Sequence, residues 1–341
     1  MNEGYDHYIA VDWSIRNMAI ARMTGKSNKI TVVDVPSDVS ELRVYLKSLR
    51  GRKALTLEET TTSQWLYTEL KGEVDRLVIC DPVRNHLLSE GAKTDKIDAS
   101  KLVQLLRANL LKEVYHSGEK FLELRRLVSG YDDTVRAGVR LKNQRYALLR
   151  ACGLTGEEDK GFRLKGSIEQ KVLEGIERQI ACNGEEKKRY GKEFEDLAKK
   201  HPEIRHQDSL PGIGLIGAMK IVSRVVCPHR FPSAGHFLSY AGLIKLERTS
   251  GQVTYGRKNS RYCRELKSVY KTGVINAIDG ENAIHDYYEY LIREKGYPDY
   301  QARHKAARRL AILSLGVFKS GKKYRRDLAK GGNQEIKHPG L

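Results

Sequence analysis

Acidic residues in the first hundred positions have the types and spacing of a metal-ion site. Asp12 ends an apolar run, Glu58 and Glu59 end another, and Asp95 and Asp98 are three residues apart at the start of a helical pattern. Any one of them is ordinary at a strand end or helix cap. Together they would repel one another unless a cation held them. Oxygen ligands in that number suit Mg²⁺, and paired Mg²⁺ ions can bind the attacking and leaving oxygens of a phosphodiester.

A second group of residues offers a hydroxyl among cations. Ser250 lies in Thr249-Ser250-Gly251, which we predict to be a loop. Serine is a weak nucleophile that neighbouring cations could activate by stabilising a pentavalent phosphate. A serine before glycine is more often structural, so the residues alone favour a structural role. The basic residues near it in sequence are Arg248, Arg257, Lys258, Arg261 and Arg264.

Glycines at 212 and 214 open the C-terminal region. In Leu210-Pro211-Gly212-Ile213-Gly214 they permit a tight turn between two helices, and N–H groups at the start of the second helix could hold a phosphate. The turn is similar to that of helix-hairpin-helix DNA-binding modules, which grip the backbone without reading sequence. A plain helix–helix turn fits the same residues equally well.

The charge of the chain points to a polyanionic partner. The 341 residues carry a net charge of +18, of which about +5 falls in 1–200 and about +13 in 201–341. Nucleic acid is the first expectation, and a solvated basic tail is the alternative for the last residues. The tail residues that suit phosphate contacts are Lys322, Lys323, Arg325 and Arg326.

Other protein classes fit less well. No apolar stretch is long enough to span a membrane, and the first ten residues are unlike a secretory signal. Five scattered cysteines, never spaced CxxC, argue against a disulfide framework or a structural zinc site. We therefore expect a protein of a reducing cytoplasm, with no membrane partner.

Elements able to position these residues can be predicted along the chain. Strands over 7–13, 17–23 and 28–35 precede alternating helices and strands, with strands over 53–59 and 75–81 and a helix after residue 93. This β-β-β-α-β-α-β-α order is ribonuclease-H-like and differs from a doubly wound sheet. The middle is helical, as a hairpin or a coiled coil between subunits. We expect domains at 1–115, 116–200 and 201–341, the last mostly helical.

Taken in order, these pieces resemble a known family. The sequence is similar to the RNA-guided insertion-sequence transposases of the DEDD type, the bridge recombinases, which are related to Piv-type DNA invertases. The matching pieces are Ala10-Val11-Asp12, Leu57-Glu58-Glu59-Thr60, Lys93-Thr94-Asp95-Lys96-Ile97-Asp98-Ala99, Leu210-Pro211-Gly212-Ile213-Gly214, and Ser239-Tyr240-Ala241-Gly242-Leu243 followed by Thr249-Ser250-Gly251. They cover most of the chain, and the piece around Asp95 and Asp98 is the most specific.

The resemblance implies a site and a mechanism. A RuvC-like domain would bind Mg²⁺ through Asp12, Glu58, Asp95 and Asp98, and a C-terminal transposase domain would supply Ser250 as the nucleophile on DNA. The family forms a covalent seryl-DNA intermediate at a site built from two subunits, which implies a homodimer that assembles to a tetramer. In that family a noncoding bridge RNA pairs with target and donor DNA, and the resemblance implies a prokaryotic protein that joins the nucleoid during transposition.

Two residue assignments and two other functions stay open at this stage. Glu59 is the alternative to Glu58, which we prefer because it directly follows the apolar run and strand alternation turns only one of the two toward the metal. Ser239 and Ser260 are alternatives to Ser250. A RuvC-like structure-selective endonuclease that hydrolyses junctions with water, and a nucleic-acid-binding scaffold without activity, are the competing functions.

Overall fold

The strands predicted in the first third of the chain form one five-stranded sheet in the computed structural model. The structure describes residues 4–82, 95–116, 121–154, 164, 167–250, 253–258 and 261–326, with the backbone alone in 246–250 and 253–258. The chain folds as two compact units, Met1–Lys120 and Phe121–Leu341, each of which is described by itself.

The first unit follows the predicted element order. Its elements are β1 (His7–Trp13), β2 (Asn17–Thr24), β3 (Ile30–Pro36), α1 (Val39–Ser48), β4 (Lys53–Glu58), α2 (Ser63–Leu70), β5 (Arg76–Cys80) and α3 (Asp95–Arg107). The sheet order is β3-β2-β1-β4-β5; β1 to β3 form an antiparallel meander, and β4 and β5 run parallel to β1. The predicted α/β character of this unit is confirmed.

Both faces of this sheet are covered, which explains why its central strands read as continuous apolar runs. One face packs Ile9 and Val11 against α1 and α2, and the other packs Ala10 against α3. Ala10, Ala19 and Ala21 line the α3 face. Because these side chains are small, α3 lies close to the strands that carry the candidate acidic residues.

The second unit is mostly helical, as predicted. Its elements are α4 (Leu122–Ala151), α5 (Ser167–Lys200), α6 (Pro202–Asp208), α7 (Leu215–Val225), a 3₁₀ turn (Pro228–Arg230), α8 (Ala234–Tyr240), β6 (Leu246–Ser250), β7 (Val253–Lys258), α9 (Arg264–Ala277), α10 (Ala283–Arg293) and α11 (Asp299–Ser320). Among the described helices of the whole chain, none has the length and apolar character that crossing a bilayer requires.

The two long helices form an antiparallel hairpin within one chain. Gly130 of α4 lies against Tyr190 of α5, and Gly138 lies against Asn183, so the partners run in opposite directions along the sequence. Phe194 and other residues near the base of this hairpin join the core of the C-terminal helices. The hairpin therefore shares a compact unit with those helices; the domain limits at 115 and 200 stay a prediction.

A buried polar network ties three helices of the second unit together. The side chains of Gln207 on α6, Tyr270 on α9 and Ser314 on α11 are almost fully buried. The Ser314 hydroxyl donates to Gln207 Oε1 at 2.6 Å and accepts from the Tyr270 hydroxyl at 2.8 Å. The Gln207 amide donates to the Ser314 carbonyl at 3.0 Å. Burial raises the pKa of the Tyr270 phenol, so it stays a neutral donor.

Candidate functional site

Asp12 and Glu58 lie side by side at the carboxyl ends of two parallel strands. In the pairing of β1 with β4, Val11 is level with Leu57, and the two acidic residues are the next residue on each strand. Strand alternation places Asp12 on the same face as Ala10, which packs against α3. Glu58 shares that face because Thr56, two residues before it, is level with Ala10.

The first turn of α3 supplies the other two carboxylates. Asp95 is exposed and Asp98 is half-buried, directly before the buried Ala99. Apolar residues of α3 pack against the small side chains of the sheet, and this packing brings the start of the helix to the strand ends. The four predicted ligands therefore come from three separate segments of the chain and fall on one side of the sheet.

Burial and nearby negative charge act on Asp12. The pKa of Asp12 is raised from 3.8 to about 6, first by burial and then by the negative charges of Asp95 and Asp98. Asp98 Oδ1 is buried and has no hydrogen-bond partner in the described structure. A cation would relieve both effects, because it would favour the ionised form of Asp12 and satisfy the Asp98 oxygen. The donor set is all oxygen, which fits Mg²⁺.

The carboxylates do not form a finished coordination shell. Within the described ranges, no group of three or more Asp, Glu, His or Cys side chains is close enough to hold a metal ion. Residues 91–94, directly before Asp95, lie outside those ranges. The metal-ligand roles of Asp12, Glu58, Asp95 and Asp98 therefore stay predictions.

Glu59 contacts a buried histidine. His116 Nε2 lies 3.3 Å from Glu59 Oε2, and the imidazole is only 5% exposed. Its ring packs on Tyr67 of α2 with centroids 5.5 Å apart, and Nδ1 lies 3.2 Å from the Val114 carbonyl. Both ring nitrogens thus face acceptors. This contact occupies Glu59, while alternation directs Glu58 to the α3 face, an arrangement that favours Glu58 as the ligand.

Two residues near this edge of the sheet were missed in the sequence. Asp81 follows β5 and is 6% exposed, and its N–H donates to the Lys112 carbonyl at 2.9 Å. It ends an apolar strand as Asp12 does, so the sequence contains the same indication of an acidic residue at a strand end. His116 carried no such signal, because its importance depends on a contact with Glu59, fifty-seven residues earlier in the chain.

The segment of Ser250 differs from the predicted loop. Thr249 and Ser250 are the last residues of β6, and Ser250 pairs with Val253 of β7 in a two-stranded hairpin. Short strands of polar residues lack the apolar alternation that predicts a strand, so this segment is predicted as a loop. Gly251 and Ser260 lie outside the described residues, as do the side chains of Arg248, Ser250, Arg257 and Lys258. Ser239 is half-buried on α8.

Close packing accounts for one of the two glycines at the start of α7. Gly212 has φ of +71°, and a Cβ there would overlap the carbonyl oxygen of Gly273 on α9. Any other residue would therefore be strained and would push the helices apart. Gly214 is the exposed N-cap of α7 with open space around it. A phosphate-binding role for these N–H groups stays a prediction.

The predicted basic residues differ in their surroundings. Arg261 and Arg264 are exposed at the start of α9, and Lys322, Lys323 and Arg325 are exposed after α11. Arg326 forms an ion pair with Asp286, at 3.0 Å. The alternative of a solvated tail stays open, and residues 327–341 lie outside the described ranges.

Two stretches of the chain match models of known protein families. Residues 9–153 match a DEDD-type family described as "Transposase", and residues 206–289 match "Transposase IS116/IS110/IS902 family". The "Insertion element IS110 uncharacterized 43.6 kDa protein" of Streptomyces coelicolor is 24% identical over 161 residues, 47% of this chain. The match spans 40% of that relative's length. The first stretch contains the four carboxylates, and the second contains Gly212 and Ser250.

Proposed function

Because the chain carries two domains of IS110-family transposases, over 9–153 and 206–289, we propose that it is the DNA transposase of an insertion sequence. It acts as a site-specific recombinase that cleaves and rejoins DNA. The observation that supports this most strongly is the set of carboxylates on the α3 face, where burial and then the charges of Asp95 and Asp98 raise the pKa of Asp12. Such a set is unfavourable for stability and has a chemical use when a divalent cation is bound.

In this proposal the first unit has a RuvC-like fold and binds Mg²⁺ through Asp12, Glu58, Asp95 and Asp98. When bound, the metal supplies positive charge that stabilises the developing charge on a phosphodiester. The Asp98 oxygen without a partner and the raised pKa of Asp12 are the features of this chain that fit the ion. His116 holds the neighbouring Glu59 away from the ligand set.

The second unit supplies the nucleophile. Ser250 Oγ attacks a DNA phosphorus, one P–O bond of the backbone breaks, and the released strand takes the proton as a free hydroxyl. The strand on the protein is then joined to Ser250 by a phosphodiester. A second DNA hydroxyl attacks this phosphorus, the bond from Ser250 Oγ to phosphorus breaks, and the serine regains its proton as the backbone is resealed. Ser250 is the last residue of β6, where the backbone pairs with Val253 of β7.

Target and donor choice follows from base pairing with a noncoding RNA of the element, as in the bridge recombinases that the motifs resemble. The protein then needs contacts to the nucleic-acid backbone more than to bases. The net charge of +18 supports this requirement. We further propose that the active form is a tetramer of two dimers, with the serine and the carboxylates of one site coming from different subunits.

The test is a denaturing gel of the full chain incubated with the element RNA, DNA and Mg²⁺. A protein–DNA adduct that disappears in Ser250→Ala supports the serine mechanism, and Ser239→Ala is the matched control that should retain it. Cleavage that leaves free ends and is unaffected by Ser250→Ala would instead identify a structure-selective endonuclease that uses water. If the protein binds DNA and RNA but breaks no strand in the presence of Mg²⁺, it is a nucleic-acid-binding scaffold without activity.

A further inference from the structure

Basic side chains of α9 and α11 come together on the surface of the second unit. Lys267 and Lys271 are four residues apart on α9, and His304 and Arg308 are four residues apart on α11, so each pair shares one helix face. Gly273 allows the two helices to approach closely, since a Cβ there would lie 2.9 Å from Leu310 of α11. We call these four residues the α9–α11 basic patch.

The electrostatics of His304 show that the charges of the patch act on one another. The pKa of His304 is lowered, first by burial and then by the positive charges of Arg308, Lys271 and Lys267. A hydrogen bond to the main chain of Leu243 acts in the opposite direction. The groups that face this imidazole from α9, α11 and the segment after α8 are therefore three cations and one main-chain group.

These cations lack the partners that other cations of this unit have. Lys220 pairs with Asp132, and Arg224 pairs with Glu265. Across the part of the chain that the structure describes, no carboxylate forms an ion pair with any of the three cations of the patch. Lys271 is exposed, and the others are half-buried. The patch therefore presents positive charge that no carboxylate of the described residues neutralises through an ion pair.

The patch lies at the base of the β6–β7 hairpin. His304 is hydrogen-bonded to Leu243, three residues before β6 begins. Lys267 Nζ lies 4.6 Å from the ring centroid of Tyr262, which follows β7. The same ring packs against Gly242, where any side chain would overlap it. Both ends of the hairpin that carries Ser250 are thus anchored beside these cations.

We propose that the α9–α11 basic patch binds backbone phosphates of the DNA strand that the β6–β7 hairpin engages. This inference rests on the proposed function and adds to it the surface that holds the DNA. Lysine and arginine side chains on two packed helices suit phosphate contacts that position a duplex without reading its bases. An anionic lipid surface would favour a polybasic segment with apolar anchors, which this rigid patch does not resemble.

The test measures DNA affinity of the full chain as a function of salt, in EDTA so that no strand is cut. In the double variant Lys271→Gln/Arg308→Gln, the slope of log affinity against log salt should decrease in magnitude by about 1.8, about 0.9 for each lost phosphate contact. The matched control is Arg136→Gln/Arg293→Gln, which removes two exposed cations that are already paired with Asp133 and Glu289. Its slope should change much less.

A second measurement does not depend on the variants folding identically. Histidine NMR of the wild-type protein should show the pKa of His304 rising when DNA binds, because phosphates offset the three cations. The His304 signal is identified by its loss in His304→Gln. An unchanged pKa together with equal slopes for patch and control variants would overturn the proposal.

The same titration with the element RNA separates the partners. If the patch variant weakens RNA binding and leaves DNA binding unchanged, the assignment to DNA is wrong. This outcome is distinct from failure of the proposed function. If the patch variant keeps the wild-type salt slope and the Ser250 adduct still forms, only the patch proposal is refuted. If the patch variant shows the reduced slope and no adduct forms, only the serine mechanism is refuted.

Discussion

Replacing Asp12 by asparagine should stabilise the first unit at neutral pH in the absence of metal. The folded protein keeps the proton of this carboxyl to about pH 6, whereas the unfolded chain loses it near 3.8. Between these pH values the folded state binds more protons than the unfolded chain, so the free energy of unfolding decreases as the pH rises. Above pH 6 the whole loss of stability is present. An asparagine side chain at this position has no charge to bury and would carry no such cost.

The size of the effect follows from the pKa. A rise from 3.8 to about 6 corresponds to about 3 kcal/mol for a fully buried group. Because Asp12 is only half-buried, solvent screens its neighbours, and we reduce the expected gain of Asp12→Asn to about 1–2 kcal/mol at pH 7.5. The gain should shrink toward zero as the pH approaches 4, where wild-type Asp12 is also neutral.

The assay is urea unfolding in EDTA at pH 4.5 and 7.5, followed by tryptophan fluorescence. Both tryptophans, Trp13 and Trp65, lie in the first unit with ring centroids 5.8 Å apart, so the signal reports that unit. Asp34→Asn, on the exposed side of β3, is the control for loss of one negative charge.

Two results would refute this reasoning. One is an Asp12→Asn protein that is less stable than wild type at pH 7.5, and the other is a gain of equal size at both pH values. Mg²⁺ gives an independent check. At about 100 times its Kd it should stabilise the wild type by about 2.7 kcal/mol, and it should stabilise Asp12→Asn much less.

Three further outcomes are expected. Asp98→Asn should abolish strand breakage on a denaturing gel while a filter-binding assay shows RNA affinity unchanged; full cleavage would remove Asp98 from the ligand set. Gly212→Ala should lower the free energy of unfolding of the second unit by more than about 1–2 kcal/mol, since it adds a strained φ to an overlap with Gly273, and an unchanged circular-dichroism melt would contradict this. Tyr270→Phe should cost about 1–2 kcal/mol in the same melt because it removes a buried hydrogen bond to Ser314; a neutral effect would mean that the network is not fully formed in solution.

The sheet and its acidic edge could be predicted because the information is local. Alternation and apolar runs fix the strands, and an acidic residue directly after a run must lie at a strand end. The predicted strand over 53–59 ends one residue later than β4, which is within the usual spread of a strand boundary. Parallel pairing of β1 with β4 then brings Asp12 level with Glu58, as the element order implied.

Features that depend on distant contacts could not be predicted. The close approach of Gly212 to Gly273 joins residues about sixty positions apart, and nothing near Gly212 distinguishes a packing glycine from a phosphate-binding one. His116 beside Glu59 is a similar case. The sequence predicts a loop at Ser250, where β6 ends, because a hairpin of polar, basic residues lacks the apolar alternation that is typical of a buried strand.

Net charge identifies a class of partner and says little about where the partner binds. A cation in an ion pair adds to the long-range field but must lose its carboxylate before it can contact a phosphate, whereas an unpaired cation is ready for that contact. Lys220 and Lys271 illustrate the difference, since Lys220 is bound to Asp132 and Lys271 is exposed in the α9–α11 basic patch. A count of charged residues in the sequence does not distinguish these two lysines. Asp12 and Asp98 follow the same logic with opposite sign: burial and the nearby aspartates raise the pKa of Asp12, and Asp98 Oδ1 is buried without a hydrogen-bond partner in the described structure. Among the described residues, each unit therefore contains a cluster of like charges, and binding of a cation or a phosphate is most favourable at such a cluster.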